Sequence, residues 1–140
     1  MIVILFHIQE KFHHHARNGP NLRKEKAMTK YIQVVTTVDD KNAAGKIAEL
    51  ILKKRLAACV QISPCQSMYR WQGNIERAEE YLCIIKSSLD LYPELEKAIR
   101  EIHPYDVPEI LAVEVVAGDS KYLEWLQQEL IPVVPQEKRV

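Results

Sequence analysis

The sequence predicts an α+β domain with the order β-α-β-β-α-β and one further helix at the C-terminus. Three observations lead to this fold class. The spacing of apolar residues alternates between the strand period and the helix period in that order. Two long strands flank a tight turn, and a length of 140 residues is enough for one domain. The order is the ferredoxin-like pattern, in which right-handed crossovers place the two main helices on one face of an antiparallel four-stranded sheet. The terminal helix can cover only part of the other face.

The first strand and helix follow from the N-terminal part of the body. Tyr31–Val38 alternates and is rich in β-branched residues, which is typical of a strand. Asp39-Asp40 then supplies carboxylates at the positive end of a helix. Lys53-Lys54-Arg55 lies near the end of that helix, where cations complement the dipole. Apolar residues at helical spacing form one stripe: Ala44, Ile47, Ala48, Ile51 and Leu52.

A long β-hairpin follows, and it carries the main inference about assembly. Gly73-Asn74 has glycine in the first central position, as a type II′ turn requires. Each arm runs for roughly ten residues or more, about twice the usual strand length. One small sheet does not pair such arms throughout, and unpaired backbone groups on an exposed edge invite association. We therefore expect an obligate oligomer in which a second copy of the chain pairs with these arms.

The same turn determines which hairpin residues face each other. It places Cys65 opposite Leu82 and Cys83 opposite Pro64. Because neighbouring strand residues point to opposite faces, Cys65 and Cys83 should not share a metal ion within one chain. A bulge at Pro64 would change this register.

The remaining elements are two helices and a strand. Residues 91–102 form a helix that ends before Pro104, and residues 109–116 form the fourth strand after Pro108. Gly118-Asp119-Ser120 begins the terminal helix. The predicted buried faces are Leu91, Leu95, Ala98, Ile99 and Ile102 in the first helix, and Tyr122, Leu123, Leu126 and Leu130 in the second.

Charge and cysteine content narrow the class of protein. The formal net charge is zero, but residues 1–27 carry five Lys/Arg and two Asp/Glu, so the rest is mildly acidic, which argues against nucleic-acid binding. Three cysteines without a C-x-x-C pair are typical of a reducing cytoplasm rather than a secreted disulfide scaffold. No apolar run approaches the roughly 20 residues of a membrane span. We expect a cytoplasmic protein without a membrane span.

Residues 1–27 differ from the rest of the chain and define a domain boundary. They have no periodic apolar face, and they contain Asn18-Gly-Pro20. We predict that they form a disordered leader or an extension translated from an upstream start. Residues 28–140 are then the folded domain.

Three motifs of the body match a known family. They are Arg55-Leu-Ala-Ala-Cys-Val60, Ser67-Met-Tyr-Arg-Trp-Gln-Gly73 and His103-Pro-Tyr-Asp-Val-Pro-Glu109, in this order. The body resembles the CutA family of divalent-cation tolerance proteins over residues 31–130. The resemblance implies a homotrimer of ferredoxin-like subunits, built like nitrogen-regulatory PII signalling proteins, with a role in tolerance of copper and other divalent metals and no enzymatic reaction. The chain departs from the family at Gln72, where Glu is usual, and at Ser87, where Thr is frequent.

Cys59 and His103 are the predicted metal ligands. Cys59 stands in the Ala-Ala-Cys-Val motif, and thiolate binds Cu(I) or Zn(II) well; the alternative is a buried small hydrophobe. Imidazole also suits copper and zinc, whereas the structural alternative for His103 is a helix C-cap that bonds the last carbonyls. Two ligands fall short of the usual four, so trimer-related copies would have to contribute. No cofactor is required in this interpretation, and copper or another divalent metal is the expected ligand.

A second set of residues predicts a cleft between subunits: Tyr69, Trp71, Lys86, Tyr105 and Glu109. Aromatic stripes of this kind occur most often in interfaces or cores. We expect Lys86 to pair with Glu109 or Glu114. The alternative function is a PII-like regulatory trimer that binds a small molecule or protein partner in these clefts. The sequence contains no Ser/His/Asp constellation or phosphate-binding glycine loop, so no enzyme is predicted.

Overall fold

The structure is a computed structural model, and it describes residues 31–133. The predicted leader, residues 1–27, lies outside the described residues. The element order confirms the α+β prediction. In chain order the elements are β1 Tyr31–Val38, α1 Lys41–Lys53, β2 Cys59–Trp71, β3 Asn74–Ser88, a 3₁₀ turn Leu89–Leu91, α2 Tyr92–Ile102, β4 Leu111–Glu114 and α3 Ser120–Glu129.

The four strands form one antiparallel sheet in the order β2-β3-β1-β4. Alternate residues of β1, such as Val34 and Val38, are fully buried and join the buried residues of α1 and α2 in one core. Both main helices therefore pack on the same face, as the crossover rule predicts. Burying each Ile, Leu or Val side chain stabilises the fold by about 1.5–3 kcal/mol.

The helical stripes are confirmed except at their C-terminal ends. The buried residues of α1 are Ala44, Ile47, Ala48 and Ile51, and those of α2 are Leu95, Ala98 and Ile99. Two predicted members were wrong: Leu52 is 39% exposed and Ile102 is 42% exposed. Both lie in the last turn of their helix. Periodicity identifies a face of a helix, whereas the neighbouring elements decide how far along that face the core extends.

The hairpin turn differs from its prediction by one residue. Trp71 pairs with Asn74, so Gln72 and Gly73 are the two turn residues. Their φ angles are 48° and 81°. Positive φ at both central positions defines a type I′ turn, which fits the right-handed twist of the arms as well as type II′ does. The predicted Gly73-Asn74 turn was wrong because glycine is accepted at either central position, and strand pairing selected the second.

The new register changes the cysteine neighbours but not their faces. Cys65 pairs with Glu80 rather than Leu82, and Cys83 pairs with Ile62 rather than Pro64. A shift of two residues keeps every side chain on its predicted face. Pairing runs through Pro64 without a bulge, and β2 is an edge strand, where proline is tolerated.

The sheet face opposite α1 and α2, called here the open face, retains exposed apolar side chains. Val35 pairs with Ile84 on one side and Leu111 on the other, and directly paired residues share a face. Leu111 is 59% exposed and Val113 is 56% exposed. The fourth strand, Leu111–Glu114, is shorter than the predicted 109–116, although the N–H of Val115 also donates to Tyr31 O at 2.9 Å.

The hairpin extends beyond the rest of the sheet. The ladder between β1 and β3 ends at Val38 and Tyr81, so among the described residues 31–133 the segments 65–71 and 74–80 pair only with each other. These residues form a projecting ribbon with two free edges. Tyr69 is 46% exposed and Trp71 is 52% exposed on it. The prediction of overlong arms is confirmed.

Candidate functional site

His103 connects the end of α2 to the end of β1. Its backbone N–H caps the helix by donating to Ile99 O at 2.9 Å, but its ring turns away from the helix. Nε2 lies 3.1 Å from the carbonyl oxygen of Thr37 and 3.0 Å from Oγ1 of Thr36. His103 is thus the C-cap of α2, as the structural alternative predicted, but it bonds the helical carbonyl through its backbone N–H and not through its ring. The ring instead satisfies a backbone carbonyl of a strand 66 residues earlier in the chain.

The partners of His103 determine its tautomer. Nδ1 accepts the backbone N–H of Tyr105 at 3.1 Å, so in the neutral ring the proton is on Nε2 and is donated to Thr37 O. Burial lowers the pKa of His103, although the Thr37 hydrogen bond and the nearby carboxylates Glu80 and Asp39 oppose this shift. Both ring nitrogens are engaged. A metal ion at His103 would have to displace one of these contacts.

Tyr105 joins the histidine to a buried carboxylate. Its ring lies 5.0 Å from the His103 ring in an edge-on arrangement. Its hydroxyl donates to Oε2 of Glu80 at 2.7 Å, and Glu80 is only 7% exposed. Burial and the bond to Glu80 raise the pKa of Tyr105 far above its usual value. Tyr105 therefore stays a hydrogen-bond donor at physiological pH.

A second carboxylate contacts the same end of β1. Oγ1 of Thr37 donates to Oε2 of Glu109 at 3.4 Å. The polar network thus comprises Thr36, Thr37, Glu80, His103, Tyr105 and Glu109. Sequence reasoning missed Glu80 and the threonines. The register of β1 on β3 was the one signal that could have located Glu80, because Val38 pairs with Tyr81 and this register places Glu80 just beyond the end of β1.

Cys59 lies at the other end of the open face. It begins β2, is half-buried and pairs directly with Lys86. Nζ of Lys86 donates to Oε1 of Gln61 at 2.7 Å, so the predicted pairing with Glu109 does not form within the subunit. Glu114 belongs to the opposite sheet face, because it pairs with the buried Ile32. Lys86 itself is 5% exposed.

The two predicted metal ligands are not adjacent within one subunit. Cys59 is at the level of Gln33 of β1, whereas His103 contacts Thr36 and Thr37. With a rise of about 3.3 Å per residue and about 4.8 Å between strands, the two side chains are separated by more than about 10 Å. Within residues 31–133, no three His, Cys, Asp or Glu side chains come together as a metal site.

The predicted cleft residues also lie in separate parts of the subunit. Tyr105 and Glu109 belong to the polar network, and Tyr69 lies close enough to contribute to the raised pKa of Tyr105. Trp71 lies two residues further along the projecting ribbon, next to the turn. Lys86 lies at the opposite end of the open face. One subunit therefore assembles only part of the predicted cleft.

These features define a class of protein: a small ferredoxin-like α+β subunit with an open sheet face, a projecting ribbon and a polar network at the end of β1. A family model described as "CutA1 divalent ion tolerance protein" matches residues 32–129. The chain belongs to this family, which confirms the resemblance seen in the motifs. No helix in residues 31–133 is long and apolar enough to cross a bilayer.

Individual relatives agree with this assignment. The chain is 40% identical over 96 residues to the divalent-cation tolerance protein CutA of Thermus thermophilus, covering 68% of this chain and 93% of the relative. The solved structure of that organism's protein has a TM-score of 0.70 at 38% identity, covering 71% of this chain and 98% of the other. A chloroplastic CutA of Arabidopsis thaliana is 41% identical, covering 69% and 53% of the two chains. The solved structure titled as a periplasmic CutA of Archaeoglobus fulgidus has a TM-score of 0.69 at 31% identity, covering 71% of this chain and 97% of the other.

Proposed function

We propose that this protein is a homotrimeric, non-catalytic protein of divalent-metal tolerance that binds copper weakly in the cytoplasm. Its membership of the divalent ion tolerance family over residues 32–129 carries the proposal. The name of a relative refers to tolerance of divalent cations in general. The preference for copper rests on the chemistry of the two candidate ligands, a thiol and an imidazole.

Cys59 is the primary ligand in this proposal. The thiol is half-buried at the start of β2, with the rest of the open face beside it. His103 contributes only when an ion displaces Tyr105 N–H from Nδ1, which lowers the net affinity. Residues of neighbouring copies complete the coordination, because the two candidate ligands are too far apart in one subunit. The lost hydrogen bond at Nδ1 and the need for ligands from neighbouring copies both predict weak binding.

The homotrimer is supported by two surfaces that one subunit leaves uncovered. The projecting ribbon has two free edges and carries the exposed aromatic residues Tyr69 and Trp71. The open face carries the exposed apolar residues Leu111 and Val113. Unpaired strand edges and large apolar patches are stable when another chain covers them. A head-to-tail ring of three copies covers different surfaces on each neighbour and leaves none open.

A metal titration tests the ligand assignment. Cu(I), Cu(II) and Zn(II) are titrated into metal-free protein, and the variants Cys59→Ser and His103→Ala are compared with the wild type. We expect Cys59→Ser to lose most Cu(I) affinity and His103→Ala to lose part of the Cu(II) affinity. Cys65→Ser is the matched control, because Cys65 lies on the ribbon beside Ser67. Unchanged affinity in both variants would reject the site.

The compartment is tested separately. The three cysteines are free thiols in the structure, which is compatible with a reducing cytoplasm. The relatives include proteins named as chloroplastic and periplasmic, so the family occupies several compartments. Fractionation of cells with the thiols trapped by alkylation gives the location and the redox state together. Recovery of the protein in a membrane-enclosed or extracellular fraction would contradict the cytoplasmic proposal.

The second candidate function is a PII-like regulator that binds a small molecule or protein partner between subunits. The observation that favours it is the position of Tyr69, which is exposed on the ribbon close to Tyr105, with the exposed Trp71 two residues further along. The analogy to signalling trimers is one of fold, which by itself does not imply function. A thermal-shift screen of nucleotides and metabolites, with Trp71→Ala as the control, separates it from metal tolerance. Stabilisation by metal ions alone would reject it.

A further inference from the structure

Lys86 is a buried cation on the open face. It is 5% exposed, and it and Glu80 are the two charged side chains that are buried within residues 31–133. Taking an ammonium out of water is costly unless an opposite charge and further hydrogen bonds compensate for the lost hydration. A buried lysine is therefore normally found beside a carboxylate.

No carboxylate among residues 31–133 compensates the charge of Lys86. Glu80, the other buried charge, precedes it by six residues on β3, which is about 20 Å along a strand. The one hydrogen bond of the ammonium within the described part of the chain is the bond of 2.7 Å to Oε1 of Gln61. An ammonium has three donors, so two of them are left without an acceptor there.

The polar groups beside the ammonium include further donors. Lysine only donates, so the Gln61 atom that it contacts is the oxygen, and the NH₂ group of the same amide keeps both of its donors. Gln33 pairs directly with Lys86 from β1 and adds a second amide to this face. The direct neighbour on β2 is Cys59, which is not a carboxylate either. An ammonium with amide donors beside it is a donor set suited to an oxyanion.

The ammonium lies close to the surface, although most of Lys86 is buried. Gln61 is exposed, and β2 is the edge strand of the sheet. A lysine that buries its stem and directs its head group to the rim is common in proteins. The charged end of Lys86 therefore meets a side chain that solvent reaches, whereas its stem lies within the sheet face.

We propose that Lys86, with the amides of Gln61 and Gln33, binds a small oxyanion, a carboxylate or a phosphate, which supplies the counter-charge. The ligand approaches from the edge strand, where rotation of the exposed Gln61 side chain opens the way to Nζ. The inference goes beyond metal tolerance, because an ammonium binds anions and repels metal cations. It also names a ligand class for the second candidate function, on which the physiological role of the site rests.

Titration of inorganic phosphate and of acetate into the metal-free full chain tests the site. Binding is followed at constant ionic strength by calorimetry and by the midpoint of thermal unfolding, which a ligand of the folded state raises. At least one of the two anions should raise the midpoint, whereas chloride should not. Lys86→Met removes the charge and keeps an apolar stem, so the affinity should fall about tenfold or more, the effect of losing a charge-assisted hydrogen bond.

Lys53→Met is the matched control. It removes the same charge, but Lys53 is 73% exposed and already pairs with Glu49 at 2.9 Å. This variant should keep the wild-type affinity for the anion. Equal losses of affinity in the two variants would overturn the proposal, because they would reflect net charge alone. Failure of both anions to bind the wild type would overturn it as well.

A second variant, Gln61→Glu, places a carboxylate where Lys86 now meets an amide. In buffer without oxyanions this change should raise the midpoint of thermal unfolding, and the response to phosphate or acetate should disappear. If Lys86→Met does not fold, an unchanged anion response in Gln61→Glu rejects the site. A lower midpoint in Gln61→Glu, with no anion response in the wild type, would mean that a carboxylate of a neighbouring copy already fills the site, and this result also rejects a free ligand.

The outcome is separable from those of the two proposed functions. No metal ion is present in the anion titration, so a failed metal titration does not affect it. Binding of phosphate or acetate at Lys86, together with a metabolite screen that finds no ligand, would support the site and reject the regulator. A metabolite that binds equally well to the wild type and to Lys86→Met would support the regulator and reject the site.

Discussion

Replacing Tyr105 with Phe should destabilise the folded subunit while leaving its shape unchanged. The substitution removes the hydroxyl that donates to Oε2 of Glu80 at 2.7 Å and keeps the ring that packs against His103. Glu80 is 7% exposed, so water does not replace the lost donor well. A hydrogen bond to a charged group is worth about 1.5–3 kcal/mol, and we expect a loss of about 2 kcal/mol per subunit.

Guanidinium unfolding at one fixed subunit concentration measures this loss, because assembly makes the apparent stability depend on concentration. Tyr81→Phe is the matched control, since Tyr81 neighbours Glu80 on β3 and its hydroxyl makes no hydrogen bond within residues 31–133. Glu80→Gln and the double variant complete a cycle, in which we expect a coupling of about 1 kcal/mol or more. Equal costs for Tyr105→Phe and Tyr81→Phe, or fully additive effects of Tyr105→Phe and Glu80→Gln, would refute the reasoning.

Three further predictions follow from local contacts. Burial lowers the pKa of His103, so the fold favours the neutral form of its ring. The contribution of His103 to the free energy of unfolding should therefore be fully present above about pH 6.5 and be lost as the pH falls through the folded pKa. A His103→Gln variant with the same pH profile of thermal melting would contradict this. Gln72 and Gly73 have φ angles of 48° and 81°, which asparagine and glycine adopt most easily. In denaturant titrations, Gln72→Asn should raise the unfolding free energy by a few tenths of a kcal/mol, and Gly73→Ala should lower it by about 1 kcal/mol. Effects of opposite sign would reject the type I′ turn. Cys83 is fully buried and burial raises its pKa, so its thiol should resist alkylation in the native protein. Cys83→Ser should lower the unfolding free energy by about 1–3 kcal/mol, because it buries a hydroxyl in the core. Rapid labelling of Cys83 in the native protein would contradict its position in the core.

Local patterns predicted the elements well, because each pattern depends on residues close in the chain. The stripe Ala44, Ile47, Ala48 and Ile51 is buried as predicted, since helical spacing determines which side chains share a face. The hairpin turn was misplaced by one residue because the Gln72-Gly73 and Gly73-Asn74 dipeptides both place glycine where a two-residue turn accepts it. Thirteen residue pairs between β2 and β3 determined the choice.

The candidate site was predicted less completely, because its contacts join distant parts of the chain. Tyr105 and Glu109 were identified by motif, and both belong to the polar network. Glu80 was missed, since its role depends on the point at which β1 ends beside β3. Lys86 was expected to pair with Glu109 or Glu114, but its ammonium donates to Gln61, two residues from its direct partner on β2.

The amino-acid sequence alone determined the element order, the helical faces, the overlong arms and the family, because periodicity, turn residues and motif spacing are properties of short segments. Only the tertiary structure decided which nitrogen of His103 holds the proton, which carboxylate Tyr105 binds and which carbonyls of α3 the Arg55 side chain binds. The residues that these contacts join are between 2 and 74 positions apart in the sequence. The longer of them form only when strand register and helix packing bring the groups within hydrogen-bonding distance.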